Sequence, residues 1–154
     1  MYKIAVIYSI YPEIAEAAEE LIRKKGYHVE VAIGVLDNAV QLAKKYEAEG
    51  FDLIISRGVT GSLIRNAVRI PVINVDITNF DILQTLYNAR NYGKKMAFFQ
   101  YSKSLKYHDF DFIRKILDIG EEELGIYYFS SEEELKEKVR EAYASSVEVI
   151  VATG

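Results

Sequence analysis

The segment from residue 56 to residue 62, SRGVTGS, combines residue types that bind anions. Hydroxyls donate hydrogen bonds, an arginine gives a fixed charge with bidentate geometry, and glycines let the backbone approach a ligand closely. A short helix is predicted directly after it, and N–H groups at a helix start attract negative charge. The segment predicts a site for a small anion, formed by Ser56, Arg57, Gly58, Thr60, Gly61 and Ser62. The alternative is a solvated turn whose hydroxyls only cap the helix.

Other candidate residues have weaker support. Ser9 ends the first predicted strand and Tyr101 follows the fifth, so both lie where parallel sheets bind ligands, although a serine there often caps the next helix. Asp81 has the residue type to orient a ligand hydroxyl, but Thr78–Asp81 resembles a capping box at a helix start, and that role already explains Asp81. His28 and His108 are far apart, with no ligand spacing around them, which favours structural roles over metal binding.

Composition and absent motifs argue against several classes of protein. The 154 residues include no cysteine, which excludes disulfides, thiolate metal sites and cysteine nucleophiles. No apolar run approaches the ~18 residues of a membrane span, and the N-terminus is typical of a strand rather than a signal peptide. The net charge of −4, with scattered lysines and arginines, gives no footprint for nucleic acid. Dinucleotide, P-loop and serine-hydrolase motifs are absent, so we expect no cofactor.

The spacing of apolar residues predicts strands alternating with helices. Short β-branched runs bounded by turn residues indicate buried strands, and apolar residues at helical spacing lie between them. This alternation is typical of βαβ crossovers, hence of an α/β protein with parallel sheets and helices on both faces. The predicted strands are Lys3–Tyr8, His28–Ile33, Asp52–Ile55, Ile70–Val75, Lys95–Gln100, Gly125–Phe129 and Val147–Val151.

The chain contains an internal duplication. KIAVI at 3–7 aligns with KMAFF at 95–99, and FDLIISRG at 51–58 aligns with VEVIVATG at 147–154. We predict a first lobe at 1–79, a connecting helix at 80–93 and a second lobe at 94–154. The second copy lacks the helix and strand that follow Gly58 in the first, so we expect the chain to be a fragment.

The stretch Asp52–Arg90 resembles the N-terminal sensory domain of the propionate catabolism activator family. The matching features are S-R-G-x-T at Ser56–Thr60, I-P-V at Ile70–Val72, F-D-I-L at Phe80–Leu83 and K-K-x-A at Lys94–Ala97. The resemblance extends over essentially the whole chain and is strongest in its middle third. Domains of this family precede the ATPase and DNA-binding domains of sigma-54-dependent regulators of the NtrC type.

The resemblance implies a fold and a function. The implied fold is two tandem three-layer α/β/α lobes, chelatase-like, with four-stranded parallel sheets that face each other across a ligand crevice. The implied function is a cytoplasmic, non-catalytic sensor of a small organic acid. Ser56, Arg57, Gly58 and Thr60 match the family motif and are expected to line the crevice. The implied partners are the adjoining domains and a second copy, without direct contact to nucleic acid or membrane.

Two rival functions stay open. A small isomerase or lyase acting on a carboxylated or phosphorylated metabolite would need a general base, for which Asp76, Asp81 and His108 are the candidates. A pure interaction module would dimerise through an exposed face. Turnover would indicate the enzyme, and ligand-linked melting without turnover would indicate the sensor.

Overall fold

The computed structural model describes residues 1–9, 12–102 and 108–152, which form two compact units. The division falls between Asp76 and Ile77. The sequence-based boundaries at 79, 80–93 and 94 stay a prediction. Residues 153 and 154, which end the predicted repeat, lie outside the described part of the chain.

The first unit contains one sheet of four parallel strands in the order β2-β1-β3-β4. Strands and helices alternate along the chain, as the sequence predicted, because each crossover helix buries an apolar stripe against the sheet. The elements are β1 (Lys3–Tyr8), α1 (Pro12–Lys24), β2 (His28–Ile33), α2 (Leu36–Ala48), β3 (Leu53–Arg57), α3 (Gly58–Ala67) and β4 (Val72–Val75).

Helices cover the two faces of this sheet unequally. On one face, α2 and α3 pack over Ile7 and Ile54 in the main core of the unit. On the other, α1 packs near Val6, with Ile55 at the margin. Because side chains alternate along a strand, Ser56 leaves β3 on the face of Ile54, and Arg57 leaves it on the face of Ile55.

The second unit contains three parallel strands in the order β6-β5-β7. Its core lies between this sheet and two helices, α4 and α5, while α6 packs along β6. The parallel α/β class predicted from sequence is therefore confirmed in both units. The elements are α4 (Asn79–Ala89), β5 (Met96–Tyr101), α5 (Phe110–Leu117), β6 (Leu124–Phe129), α6 (Glu132–Ala144) and β7 (Val149–Ala152).

The same link between strands recurs in both units. The Asp52 carboxylate accepts a hydrogen bond from the Lys3 backbone N–H at 2.8 Å. The Glu148 carboxylate accepts from the N–H groups of Lys94 and Lys95 at 2.7 and 2.9 Å. Asp52 and Glu148 occupy matching positions of the two repeats, so this link and the shared strand order agree with the predicted duplication.

One predicted element was wrong. The segment 56–62 was expected to be a turn, with a helix beginning near Leu63, but Ser56 and Arg57 belong to β3 and the helix begins at Gly58. Gly58 has φ +61°, a value that glycine adopts without steric cost, so the chain passes from strand to helix with no intervening loop. Burial of Val59 and Thr60 in the packed face of α3 outweighs their weak helix propensity.

Candidate functional site

The order of the strands marks one crevice of the first unit. From β1 the chain crosses to β2 on one side, and β3 returns to the other side of β1. Ligands of open parallel sheets bind beyond the carboxyl ends of the strands at such a switch point. Ser9 follows β1 there and is half-buried, and Ser56 and Arg57 end β3. The topology therefore brings three predicted site residues to one edge.

Two buried hydroxyls at this edge have no hydrogen-bond partner among the described residues. Ser56 is 4% exposed and Thr60 is 2% exposed, and Ser56 Oγ and Thr60 Oγ1 are both unsatisfied. A buried hydroxyl without a partner costs about 1–3 kcal/mol, so native proteins pair nearly all such groups. Both hydroxyls therefore have unused hydrogen-bonding capacity.

The start of α3 adds hydrogen-bond donors. Arg57 is its N-cap residue in extended conformation, and no side chain caps the helix. The first N–H groups of a helix have no intrahelical acceptor and lie at the positive end of its dipole. This helix start therefore attracts a negatively charged oxygen.

Asn74 holds the start of α3 in place, and sequence reasoning missed it. Its Nδ2 donates to the Gly58 carbonyl at 3.1 Å and to Ser62 Oγ at 3.2 Å, and Ser62 Oγ donates to the same carbonyl. Asn74 lies beside Ser56 in the register of β3 and β4. The feature that could have indicated its role is a polar residue within the apolar strand VINV, at a position that is half-buried in the structure.

Gly61 lies against the Asn74 side chain. A Cβ at Gly61 would collide with Asn74 Oδ1 and Cγ. The absent side chain thus lets the amide approach the helix, which gives Gly61 a packing role. Contact between Gly61 and a ligand stays a prediction.

Arg57 and Tyr101 approach from other directions. Arg57 is half-buried on the face of α1, opposite the face of Ser56, with Val75 as its neighbour in β4. Tyr101 ends β5 of the second unit, where its buried ring packs 5.7 Å from that of Phe129. The roles of both residues in ligand binding stay predictions.

Two of the three acid–base candidates of the rival enzyme, Asp81 and His108, hold structural positions. Asp81 closes a capping box with Thr78: its carboxylate accepts the Thr78 N–H at 2.7 Å, and its N–H donates to Thr78 Oγ1. His108 is buried, with Nδ1 2.7 Å from Asn79 Oδ1. Within the ranges that the structure describes, no group of three acidic or histidine residues is placed to hold a metal ion.

No helix in the described part of the chain is long and apolar enough to cross a membrane. The fold defines a parallel α/β protein with polar residues at the carboxyl edge of its first sheet. The chain belongs to the propionate catabolism activator family, whose sequence model matches residues 23–154. The resemblance noted from the sequence is thereby confirmed, and the chain is a regulatory sensory domain.

Comparison with solved structures supports the same fold. An NtrC family transcriptional regulator from Clostridium acetobutylicum superposes with a TM-score of 0.84 at 26% identity, over 97% of this chain and 76% of that one. An ABC transporter solute-binding protein from Conexibacter woesei and a periplasmic binding protein from Burkholderia mallei each reach a TM-score of only 0.46. Both matches cover 99% of this chain, at 16% and 14% sequence identity, and they cover 64% and 53% of the two binding proteins. These similarities are too low to bear on the fold or the function. No curated protein matches the chain.

Proposed function

We propose that this domain binds a small organic acid at the carboxyl edge of the first unit and reports it to the ATPase and DNA-binding domains of a cytoplasmic regulator. The pair of buried, unsatisfied hydroxyls on Ser56 and Thr60 carries the proposal. Enclosure of the acid between two lobes stays a prediction from the family resemblance. A homodimer is part of the same expectation.

A carboxylate fits the donors at this edge. Its oxygens accept hydrogen bonds from the Ser56 and Thr60 hydroxyls and from the first N–H groups of α3, all of which are donors. Arg57 supplies the charge that a di- or tricarboxylate needs for a second carboxylate group. A ligand held in this way favours whichever conformation presents these donors together, and the shift in population is the signal.

Calorimetric titration of the 154-residue chain tests the proposal. The probes are succinate, malate, tricarballylate and citrate. We expect at least one to bind, and we expect both Arg57→Ala and Thr60→Val to weaken it by roughly tenfold or more, since each removes a hydrogen bond to a charged group. Thr60→Val keeps the side-chain shape, so a loss of binding in this variant reports the hydroxyl.

Arg65→Ala is the matched control, because Arg65 is exposed in the last turn of the same helix. Equal binding by wild type and Arg57→Ala would remove Arg57 from the site, and absence of binding by all four acids would contradict the proposal. Following each acid by NMR during the incubation separates sensing from turnover. Conversion of any acid would favour the isomerase or lyase instead.

A further inference from the structure

The two hydroxyls of the proposed ligand site are closed off from solvent in this structure. Ser56 and Thr60 are 4% and 2% exposed, and the hydroxyl oxygen of each is buried. Ser56 leaves β3 on the face that α3 covers, and Thr60 lies in the first turn of α3 itself. An acid that accepts hydrogen bonds from both hydroxyls therefore needs a movement of the chain, and the first turn of α3 is the part that covers them.

The sequence of this first turn favours a helix only weakly. Residues 58–62, GVTGS, are two glycines, two β-branched residues and a serine, all of which are poorer helix formers than alanine or leucine. The helix start also has no side-chain cap. The second half of α3, LIRNA at 63–67, contains leucine, arginine and alanine, which are strong helix formers. The weak part of α3 is thus the part that covers the site.

Asn74, on β4, holds this turn against the sheet. Its Nδ2 donates to the Gly58 carbonyl at 3.1 Å and to Ser62 Oγ at 3.2 Å. Its amide also fills the space that a Cβ at Gly61 would occupy. These contacts of Asn74 with Gly58, Gly61 and Ser62 are called the Asn74 latch. They join the first turn of α3 to a residue far away in the sequence, so they can break without unfolding the strands beneath.

Opening of the turn returns three buried polar atoms to water. Ser56 Oγ, Thr60 Oγ1 and Asn74 Oδ1 have no hydrogen-bond partner within the part of the chain that the structure describes. A buried polar group without a partner costs more than one ordinary hydrogen bond contributes, so hydration of these atoms offsets the loss of the two bonds of the latch. A bound acid removes part of this cost in the closed state, because its oxygens accept from both hydroxyls.

We propose that the first turn of α3, residues 58–62, is the gate of the ligand site and that the Asn74 latch keeps it closed. The turn opens to admit the acid, and the bound acid then holds it closed through the hydroxyls of Ser56 and Thr60. The identity of the ligand rests on the proposed function, but the opening takes place in the free chain as well. The acid therefore changes the population of a conformation that the domain already visits.

Amide hydrogen exchange followed by NMR tests the gate without a ligand. In an α-helix the N–H groups of Leu63 and Ile64 bond back to the first turn, so they exchange when it opens. The Ile54 N–H bonds to the Pro71 carbonyl at 3.0 Å inside the sheet and exchanges on global unfolding. We expect protection at Leu63 and Ile64 to be at least about tenfold lower than at Ile54 and nearly independent of urea at low concentration. Equal protection, or an equal dependence on urea, would overturn the gate.

Two substitutions test the latch. Asn74→Ala removes both of its bonds to α3, and Ser62→Ala removes one of them and keeps Asn74 in place. We expect protection at Leu63 and Ile64 to fall about tenfold in Asn74→Ala and by a smaller factor in Ser62→Ala. Ser62→Ala also keeps the test open if Asn74→Ala does not fold.

Thr85→Ala is the matched control for Ser62→Ala. Thr85 Oγ1 donates to the Asp81 carbonyl four residues earlier in α4, as Ser62 Oγ donates to the Gly58 carbonyl in α3. This control should leave the exchange of α3 unchanged. If the latch variants lower protection only at Ile54 and not in α3, the turn opens without breaking the latch, and the proposal is wrong.

Exchange in the presence of an acid that binds in the titration tests the link to the ligand. The bound acid should raise protection at Leu63 and Ile64 at least about tenfold at saturation, because opening of the turn releases it. Binding that leaves these two amides unchanged would overturn the gate and leave the site intact. Absence of binding by all four acids contradicts the proposed function, whereas the opening of the turn is decided by the exchange of the free chain.

Discussion

The two units differ in how their helices begin. In the second unit, side chains of Thr78, Asp109 and Ser131 accept a backbone N–H at the starts of α4, α5 and α6. In the first unit, α2 begins after Val35 and α3 after Arg57, and neither helix has a side-chain cap. The same architecture therefore satisfies its helix starts internally in one unit and leaves two of them open in the other.

The two uncapped helices of the first unit also begin with an unusual backbone conformation. The first residue of each uncapped helix has positive φ, +47° at Leu36 and +61° at Gly58. A left-handed conformation costs a residue other than glycine roughly 1–2 kcal/mol, so Leu36 is strained. An open helix start is a poor choice for stability alone and a good one for binding an anion. The contrast thus supports a ligand site in the first unit rather than in the second.

The largest expected effect comes from replacing Gly61 by alanine. Asn74 donates hydrogen bonds that tie the first turns of α3 to β4, and a Cβ at Gly61 collides with its amide. We expect Gly61→Ala to lower the free energy of unfolding by about 1–3 kcal/mol, the usual cost of overpacking. Urea denaturation of the purified chain measures it.

A double-mutant cycle shows whether Asn74 causes that loss. In wild type, Asn74→Ala breaks the hydrogen bonds to Gly58 and Ser62 and should destabilise. In the Gly61→Ala background it also removes the collision, so its cost should shrink or change sign. Additive effects of the two substitutions would show that the residues are not coupled.

Hydrophobic periodicity predicted the order of strands and helices, because apolar stripes are needed wherever a helix covers a sheet. The capping box of Thr78 and Asp81 was also predicted and is confirmed. At the start of α6, Ser131 caps the helix, but the Glu134 carboxylate accepts from the N–H and hydroxyl of Ser130 rather than from the cap residue, so the reciprocal bond of a capping box is not formed there.

The site was harder to predict, since its geometry depends on contacts distant in sequence. The segment SRGVTGS was predicted to be a turn before a helix, because it contains two glycines and two β-branched residues. Only packing against the sheet makes this segment helical. Asn74 was missed because its partners Gly58 and Ser62 lie 16 and 12 residues away. Ser56 and Arg57 lie on opposite faces of the sheet because β3 continues through Arg57, beyond its predicted end at Ile55.

A smaller effect, of opposite sign, is expected when an open helix start is capped. Val35 is the N-cap of α2, in extended conformation and about half exposed. Val35→Asp should therefore raise the free energy of unfolding by about 0.5–1 kcal/mol, while Ser131→Ala, which removes a cap in the second unit, should lower it by a similar amount. Denaturant titration of both variants measures the pair. A loss of stability in Val35→Asp would mean that the N–H groups of α2 are already satisfied.

The smallest expected effect concerns the link repeated in both units. Hydrogen bonds from the backbone N–H groups of Lys95 and Lys94 hold the pKa of Glu148 below its ordinary value of 4.5. A lowered pKa in the folded state stabilises the fold above the pKa of the unfolded chain, and this contribution is lost as pH falls through the folded value. The advantage of wild type over Glu148→Gln in melting temperature should therefore be constant from pH 7 to about 5 and shrink below about 4.5.

Glu137→Gln is the control for this experiment, because it makes the same substitution at an exposed glutamate of α6. If wild type keeps the same advantage in melting temperature over Glu148→Gln in strong acid, the charge of the carboxylate is not the cause of that advantage. The glutamine oxygen would then be the weaker acceptor because of where it lies, and not because it lacks the charge. In that case the link between the first and third strands of each repeat works through geometry alone, and Asp52→Asn should behave in the same way in the first unit.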